Sequence, residues 1–323
     1  MKLLKKILEQ LRGLHYRQEY LCFAEEQFLK PLKMYLVHET KVQLEITQQH
    51  AFVGYHPVIF VFPSLQAWEW PETVEILFTD NTLKIGKECR SRDAIALISF
   101  KQIKIQEAGS EKLYYYQGIW GRHRFLSSLQ QRIVQWHNML YNQQPGNVFL
   151  KGNLYNQVQI AYSRPRKICL ISVTMQGLYN LFPTDLHGKV TDEFYVISLR
   201  HAGKACEQVK AAGQIVLSDM QVEACQKVYR LGKNHMQLLK EASAFDFSTS
   251  VSKVFQLLLP NGIVGYKELA LHDWFITGIH CLLLFKIVSN KSLSPVPNTL
   301  VQIHNSYATW RYKKGLPGNY LIR

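Results

Sequence analysis

The chain has 323 residues, 47% hydrophobic and 19% charged, a balance that excludes a disordered polymer and is long enough for two cores. Thirty-eight Lys and Arg stand against 24 Asp and Glu, a formal net charge of +14. The excess is uneven: residues 1–150 hold 18 basic and 14 acidic residues and residues 151–323 hold 20 and 10, so the second part is better suited to meet an anion.

The six cysteines at 22, 89, 169, 206, 225 and 281 form no C-x-x-C pair, which leaves no zinc or iron–sulfur framework in the spacing. Cys169 and Cys281 sit in apolar runs and read as small buried hydrophobes. With no secretory signal in view, a reducing cytoplasm is the expected setting. No apolar run reaches the roughly 18–20 residues of a membrane-crossing helix.

The opening MKLLKKILEQLRGL repeats Leu3, Leu4, Ile7, Leu8, Leu11 and Leu14 at helical spacing, with Lys2, Lys5, Lys6 and Arg12 on the other face. It predicts an amphipathic helix packed on the adjoining domain, a membrane-surface helix being the alternative. A second helix is read near YLCFAEEQFLKPLK. Then KMYLVHE, KVQLEITQ, HPVIFVFP, ETVEILFTD, AIALISF and KLYYYQGIW, short and rich in branched and aromatic residues, read as strands.

RFLSSLQQRIVQWHNMLYN places Phe125, Leu126, Leu129, Ile133, Trp136 and Leu140 on one helical face. Together these elements describe a small, mainly antiparallel β domain with flanking helices, similar to a pleckstrin-homology barrel in element order only, and no chemistry is assigned to it. The polar break YNQQPGN, from Tyr141 to Asn147, sets the expected boundary between residues 1–145 and 146–323. No internal repeat is legible.

The second part opens with NVFLKGNLYNQVQIAYSRPRKICLISVT and closes with FITGIHCLLLFKIVSNKSL and TLVQIHNSYATWRYKKG. Two helical stretches, GKACEQVKAAG and DMQVEACQKVYRLGKNHMQLLKEA, lie between, the second broken at Gly232. Strands at both ends with helices inserted predict a barrel with helical excursions and not βαβ units. Neither G-x-G-x-x-G nor a P-loop is present, and no G-x-S-x-G elbow. TMQGLYNLFPTDLHG, with Gly177, Asn180, Pro183, Asp185 and Gly188, reads as a loop that turns repeatedly while holding Leu178, Tyr179, Leu181 and Phe182. TWRYKKG interleaves Trp310 and Tyr312 with Arg311, Lys313 and Lys314, a composition used by single-strand nucleic-acid binders; the reading preferred is a last barrel strand with a solvated face.

Over roughly residues 148–323 the order of features resembles the FMN-binding split barrel of the flavin reductase family. It rests on the apolar strand RKICLISVT, the glycine turn MQGLYN, the Asn-x-x-Pro segment Asn180–Pro183 and the strand EFYVISLR. KACEQVKAAGQIVLSDM and the Gly278–His280 turn, which resembles the family's Gly-Asp-His-type turn, follow in the same order. The resemblance implies a C-terminal split β-barrel, FMN as cofactor, NADH or NADPH as substrate and a homodimer with FMN held between subunits. It further implies electron transfer between reduced nicotinamide and flavin or another acceptor.

Carried onto this chain, the resemblance makes Asn180, Leu181, Phe182, Pro183, Thr184, Arg200, Lys204 and His280 the cofactor-binding residues, with Leu181, Phe182 and Pro183 walling the ring, Asn180 fixing the turn, Lys204 at the phosphate and His280 approaching the flavin or the nicotinamide. No catalytic residue and no metal ligand is assigned. Two departures stand out: Asp185 occupies a position where the family places serine, and Lys204-Ala205-Cys206 replaces a Lys-Asp-Thr-type element that would contribute a phosphate hydroxyl. Two other readings therefore stay open, a non-catalytic split-barrel scaffold that has lost flavin and a basic nucleic-acid or anionic-surface binder.

Overall fold

Runs of branched and aromatic residues cut by tight turns make this chain a succession of antiparallel strands. The structure, a computed structural model, describes residues 11–64, 68, 70–141, 150–294, 298–316 and 318–321. The amphipathic stretch over residues 1–10 and the polar break over residues 142–147 lie outside the described residues.

The first part runs β1 (Tyr20–Ala24), β2 (Lys33–His38), β3 (Lys41–Glu45), β4 (Ala51–Tyr55), β5 (Val58–Pro63), β6 (Thr73–Thr79), β7 (Ala96–Ala108) and β8 (Glu111–His123), followed by α1 (Ser128–Tyr141). After α2 (Leu154–Ala161) come β9 (Arg166–Lys167), β10 (Cys169–Met175), β11 (Leu178–Thr184), β12 (His187–Lys189) and β13 (Phe194–Arg200). Next are α3 (Lys204–Ala212), β14 (Gln214–Met220), α4 (Cys225–Arg230), β15 (Phe247–Val251) and β16 (Leu258–Pro260). The long hairpin β17 (Ile263–Thr277) and β18 (His280–Ser292) precedes β19 (Leu300–His304) and α5 (Asn305–Lys313).

Two seven-stranded sheets carry the architecture, with strand orders β3-β2-β6-β7-β8-β5-β4 and β11-β10-β14-β17-β18-β13-β12. Numbered by chain order within each sheet, both read 2-1-5-6-7-4-3. The turns match as well. The β2–β3 and β10–β11 hairpins each turn on two residues at positive φ, Glu39–Thr40 and Gln176–Gly177, the geometry that suits a two-residue hairpin. The long hairpins β7–β8 and β17–β18 each turn at a glycine of positive φ, Gly109 and Gly278. The repeat that the sequence hides is thus present in topology.

The equivalent edges of the two sheets face each other. Val53, Val61 and Tyr115 of the first meet Val190, Phe194 and Leu284 of the second in one buried cluster. β4 and β12 approach so closely that a Cβ on Gly188 would lie 2.7 Å from that of Ala51, which explains a glycine there. The first sheet's own core also takes Tyr155, Val158 and Ile160 of α2, Val301 and Ile303 of β19 and Tyr307 of α5. β19 pairs with β1 and with β9.

Several expectations are corrected. The predicted loop over residues 174–188 is mostly strand: Gln176–Gly177 takes the whole turn, so residues 178–184 extend as β11. Pro183 is tolerated because β11 is an edge strand. The stretch near Tyr20 is strand β1, claimed by β19. In α1, Leu129, Trp136 and Leu140 are exposed, while Phe125 and Leu126 are buried ahead of the helix and Val134 within it. TWRYKKG lies in α5 and not in a strand, and its Arg311 is buried, giving Nη2 to the Leu29 carbonyl at 2.7 Å and lying over the Phe28 ring.

Candidate functional site

A cleft of about 410 Å³ opens where β11, β13, the start of α3 and the 3-10 segment Leu231–Met236 converge. Its walls include Pro183, Leu186, Ala205 and Met236, with Thr184, Ser198, Arg200 and His235 as polar members. His280 forms part of the wall from the hairpin turn, and Tyr55 comes from the other sheet, at the end of β4.

His280 is the joint between the two sheets. Its Nε2 accepts the backbone N–H of Tyr55 at 3.1 Å and of His56 at 3.2 Å. Nδ1, which must then carry the proton, donates to the Ser198 hydroxyl at 2.9 Å. Burial, then the charge of Arg200, pushes its pKa down to about 3, so the ring is neutral at ordinary pH and both nitrogens are committed. Gly278, two residues earlier, sits against the same turn: a Cβ there would lie 2.3 Å from Pro57 Cδ.

Arg200, an exposed member of the cleft wall, gives Nε to the Tyr55 hydroxyl at 3.0 Å, which ties the guanidinium to the other sheet. Beside it α3 begins at Gly203 with no side-chain cap, leaving backbone N–H groups at a positive helix end. His235 sits on the wall with Nε2 donating to the Pro183 carbonyl at 2.8 Å, and burial lowers its pKa. Asp185 lines the cleft too, but its Oδ2 accepts from the Tyr162 hydroxyl at 2.7 Å and from Gln302. That bonding turns the carboxylate toward the first sheet's core.

Of the residues implied by the resemblance, Pro183, Thr184, Arg200 and His280 meet in this cleft. The other four do not line it. Asn180 is buried, with Nδ2 donating to Gln208 Oε1 at 2.7 Å and to the Asn234 carbonyl at 3.0 Å, and so pins edge strand β11 under the 3-10 segment. Leu181 and Phe182 alternate into two separate cores, as successive residues of a strand must. Lys204 is exposed and paired with Glu207 at 3.0 Å. Tyr55, Ser198, Leu186, His235 and Met236 were not foreseen as site residues. Only the adjacency of Ser198 to Arg200 in EFYVISLR offered a signal, since Tyr55 reaches the site from a distant part of the chain.

Among the described residues no group of three His, Cys, Asp or Glu side chains could hold a metal ion, and no helix is long and apolar enough to cross a membrane.

No family model and no curated protein matches the chain. Among solved structures it is similar to the NADH:FAD oxidoreductase SgcE6 of Streptomyces globisporus C-1027, at 12% identity and TM-score 0.42, over 50% of this chain and 96% of that one. It is similar to an FMN-binding protein of Thermus thermophilus at 15% identity and TM-score 0.39, covering 43% and 86%. BorF, the flavin reductase component of a bacterial two-component tryptophan halogenase, follows at 14% and 0.40, covering 46% and 91%. Over about half its length, the chain thus resembles flavin reductases and FMN-binding split-barrel proteins.

Proposed function

We propose that this chain binds a flavin, FMN by the resemblance, in the cleft between its two sheets and acts as a flavin reductase-like redox protein. One observation carries the reading: apolar walls and a cationic corner share one cavity that both sheets are needed to close. The volume of about 410 Å³ falls in the range of roughly 300–1,000 Å³ usual for small-molecule sites. Pro183, Leu186 and Met236 suit a flat apolar ring. Arg200 and the uncapped start of α3 suit a dianionic phosphate, because helix N–H groups and a guanidinium both favour negative charge.

Bound there, a flavin would supply the hydride and electron chemistry, and the protein would orient it. The residues on the page divide that task. Arg200 and Tyr55 close the mouth, while Ser198 and His280 fix the wall. His280, neutral and committed at both nitrogens, acts by position and does not deliver a proton. Asp185, whose charge would oppose a phosphate, is turned away by Tyr162 and Gln302.

The resemblance leads one to expect FMN between two subunits. Here the cleft lies between two sheets of one chain that share a strand order, and in this reading the second subunit is built into the chain.

The test is the visible spectrum of the purified chain before and after adding FMN, repeated with Arg200→Ala. The reading expects a perturbed flavin spectrum and an affinity at least tenfold weaker in the variant, equivalent to about 1.4 kcal/mol. Equal affinity in the variant would remove Arg200 from the site. An unperturbed spectrum would favour a scaffold role without flavin.

A further inference from the structure

We infer that a second anion site, made for a phosphate group, lies between the two sheets at Arg164, Arg166 and Lys189. It does not rest on the flavin reading; the two cavities share only Asp185. This cavity of about 490 Å³ is built from equivalent places in both halves, the segments ahead of β2 and β10 and the connections β3–β4 and β11–β12. Thr47 and His50 enter from one side, His187 and Lys189 from the other.

Five cationic side chains line it against three carboxylates, those of Glu25, Asp185 and Asp219. Lys189 pairs at 2.5 Å with Asp192, but that carboxylate is 97% exposed and screened by water, whereas Lys167 by Glu25 and Lys267 by Asp219, both at 3.1 Å, are neutralised locally. The arginines are not. Arg164 gives Nη1 to the Leu32 carbonyl at 2.6 Å and Nη2 to the Thr47 carbonyl at 3.4 Å. Arg166 gives Nη2 to the Ala161 carbonyl at 3.3 Å, and among the described residues its buried Nε has no hydrogen-bond partner. Among the described residues no ion pair includes either arginine.

A buried guanidinium whose charge is only partly offset is costly, and here the buried Arg166 and the half-buried Arg164 lie close enough to oppose each other. Burial, then the neighbouring Arg164, pushes the Arg166 pKa down to about 9. Arg166 lies across the rings of Phe52 and Phe60, 4.7 and 5.7 Å from their centroids, which fixes its plane. His50 and His187 are held neutral by burial and add no charge. Of the wall carboxylates, Glu25 is paired with Lys167 and Asp219 with Lys267, which leaves the charge of Asp185, held by the neutral Tyr162 and Gln302, to offset two guanidiniums only in part. Donors of this planar geometry suit an anion with several acceptor oxygens, the chemistry of a phosphate group.

The experiment titrates the full chain with sodium phosphate at constant ionic strength, sodium chloride making up the balance, by calorimetry and by thermal unfolding. Saturable binding with a dissociation constant below about 1 mM and a rise in Tm are expected. Arg164→Gln should weaken binding at least tenfold. Arg166→Met should remove the phosphate-dependent rise in Tm without lowering Tm in its absence, since an apolar replacement relieves the buried charge. Lys189→Gln, on a rim where the side chain is 54% exposed, keeps the fold safe and should weaken binding severalfold. Phenyl phosphate run in parallel names the source: tighter binding than inorganic phosphate means a phosphorylated small molecule, weaker binding means free phosphate, and either upholds the site. The same Tm rise with chloride alone, or undiminished affinity in Arg164→Gln and Lys189→Gln, would overturn it.

Discussion

Replacing His280 by leucine tests the joint on which the cleft depends. In the native chain one imidazole accepts two backbone N–H groups from the far sheet and donates to Ser198. Leucine fills similar space but leaves the Tyr55 and His56 N–H groups without their acceptor, at about 1–3 kcal/mol each, and forfeits about 1 kcal/mol at the Ser198 hydroxyl. The expected loss at pH 7.5 is about 3–7 kcal/mol by urea unfolding. The pH dependence then separates this joint from mere packing. The folded pKa of about 3 lies below the roughly 6.5 of an unfolded histidine, so the unfolded chain takes up the proton first. The stability contributed by His280 is therefore complete above about pH 6.5 and is lost as pH falls toward 3. Between pH 7.5 and 5.5 the native chain loses about 1.3 kcal/mol through this one residue, and the variant does not. The gap between the two must narrow by about that much at pH 5.5. A loss under about 1 kcal/mol at pH 7.5, or a gap that stays constant or widens on acidification, would refute the reasoning.

Other perturbations read the same junction and cleft. Gly278→Ala combines a φ of +55° with a Cβ 2.3 Å from Pro57 and should destabilise by more than about 3 kcal/mol. Gly213→Ala, at φ +67° with nothing within 4 Å, should cost only about 1 kcal/mol, and parallel urea curves compare them. Light scattering at micromolar concentration should give the mass of one chain if the two sheets stand in for two subunits; a dimer mass would contradict that. Lys204→Ala should leave FMN affinity within about twofold, because this exposed lysine pairs with Glu207 and such pairs contribute about 0–1 kcal/mol. A tenfold loss would place Lys204 in the site.

Local patterns made much of the fold readable. The strands of the first sheet, α3 and the β17–β18 hairpin announce themselves by alternation, branched residues and glycine turns. What failed was wherever a distant partner decided. YLCFA became a strand because β19 pairs with it, and SYATWRYKK became a helix because Tyr307, Ala308 and Arg311 pack on the first sheet's core. The proline and asparagine of NLFPT suggested turning, yet an edge strand accepts a proline and a 3-10 segment covers its free edge, Asn234 donating to the Leu181 carbonyl at 2.8 Å. The duplicated strand order left no mark in sequence because topology needs only matching strand lengths and turns. At the site, Thr184, Arg200 and His280 came from one half and were within reach of sequence reasoning. Tyr55 belongs to the other half, and no pattern in sequence joins it to them.

The most direct test of the account is equilibrium dialysis of the full chain against FMN. Saturation at one FMN per chain, with a dissociation constant in the micromolar range or tighter, is the result predicted by a single cleft closed by Tyr55 and Arg200. No retention of FMN at concentrations up to about 1 mM would contradict the central claim.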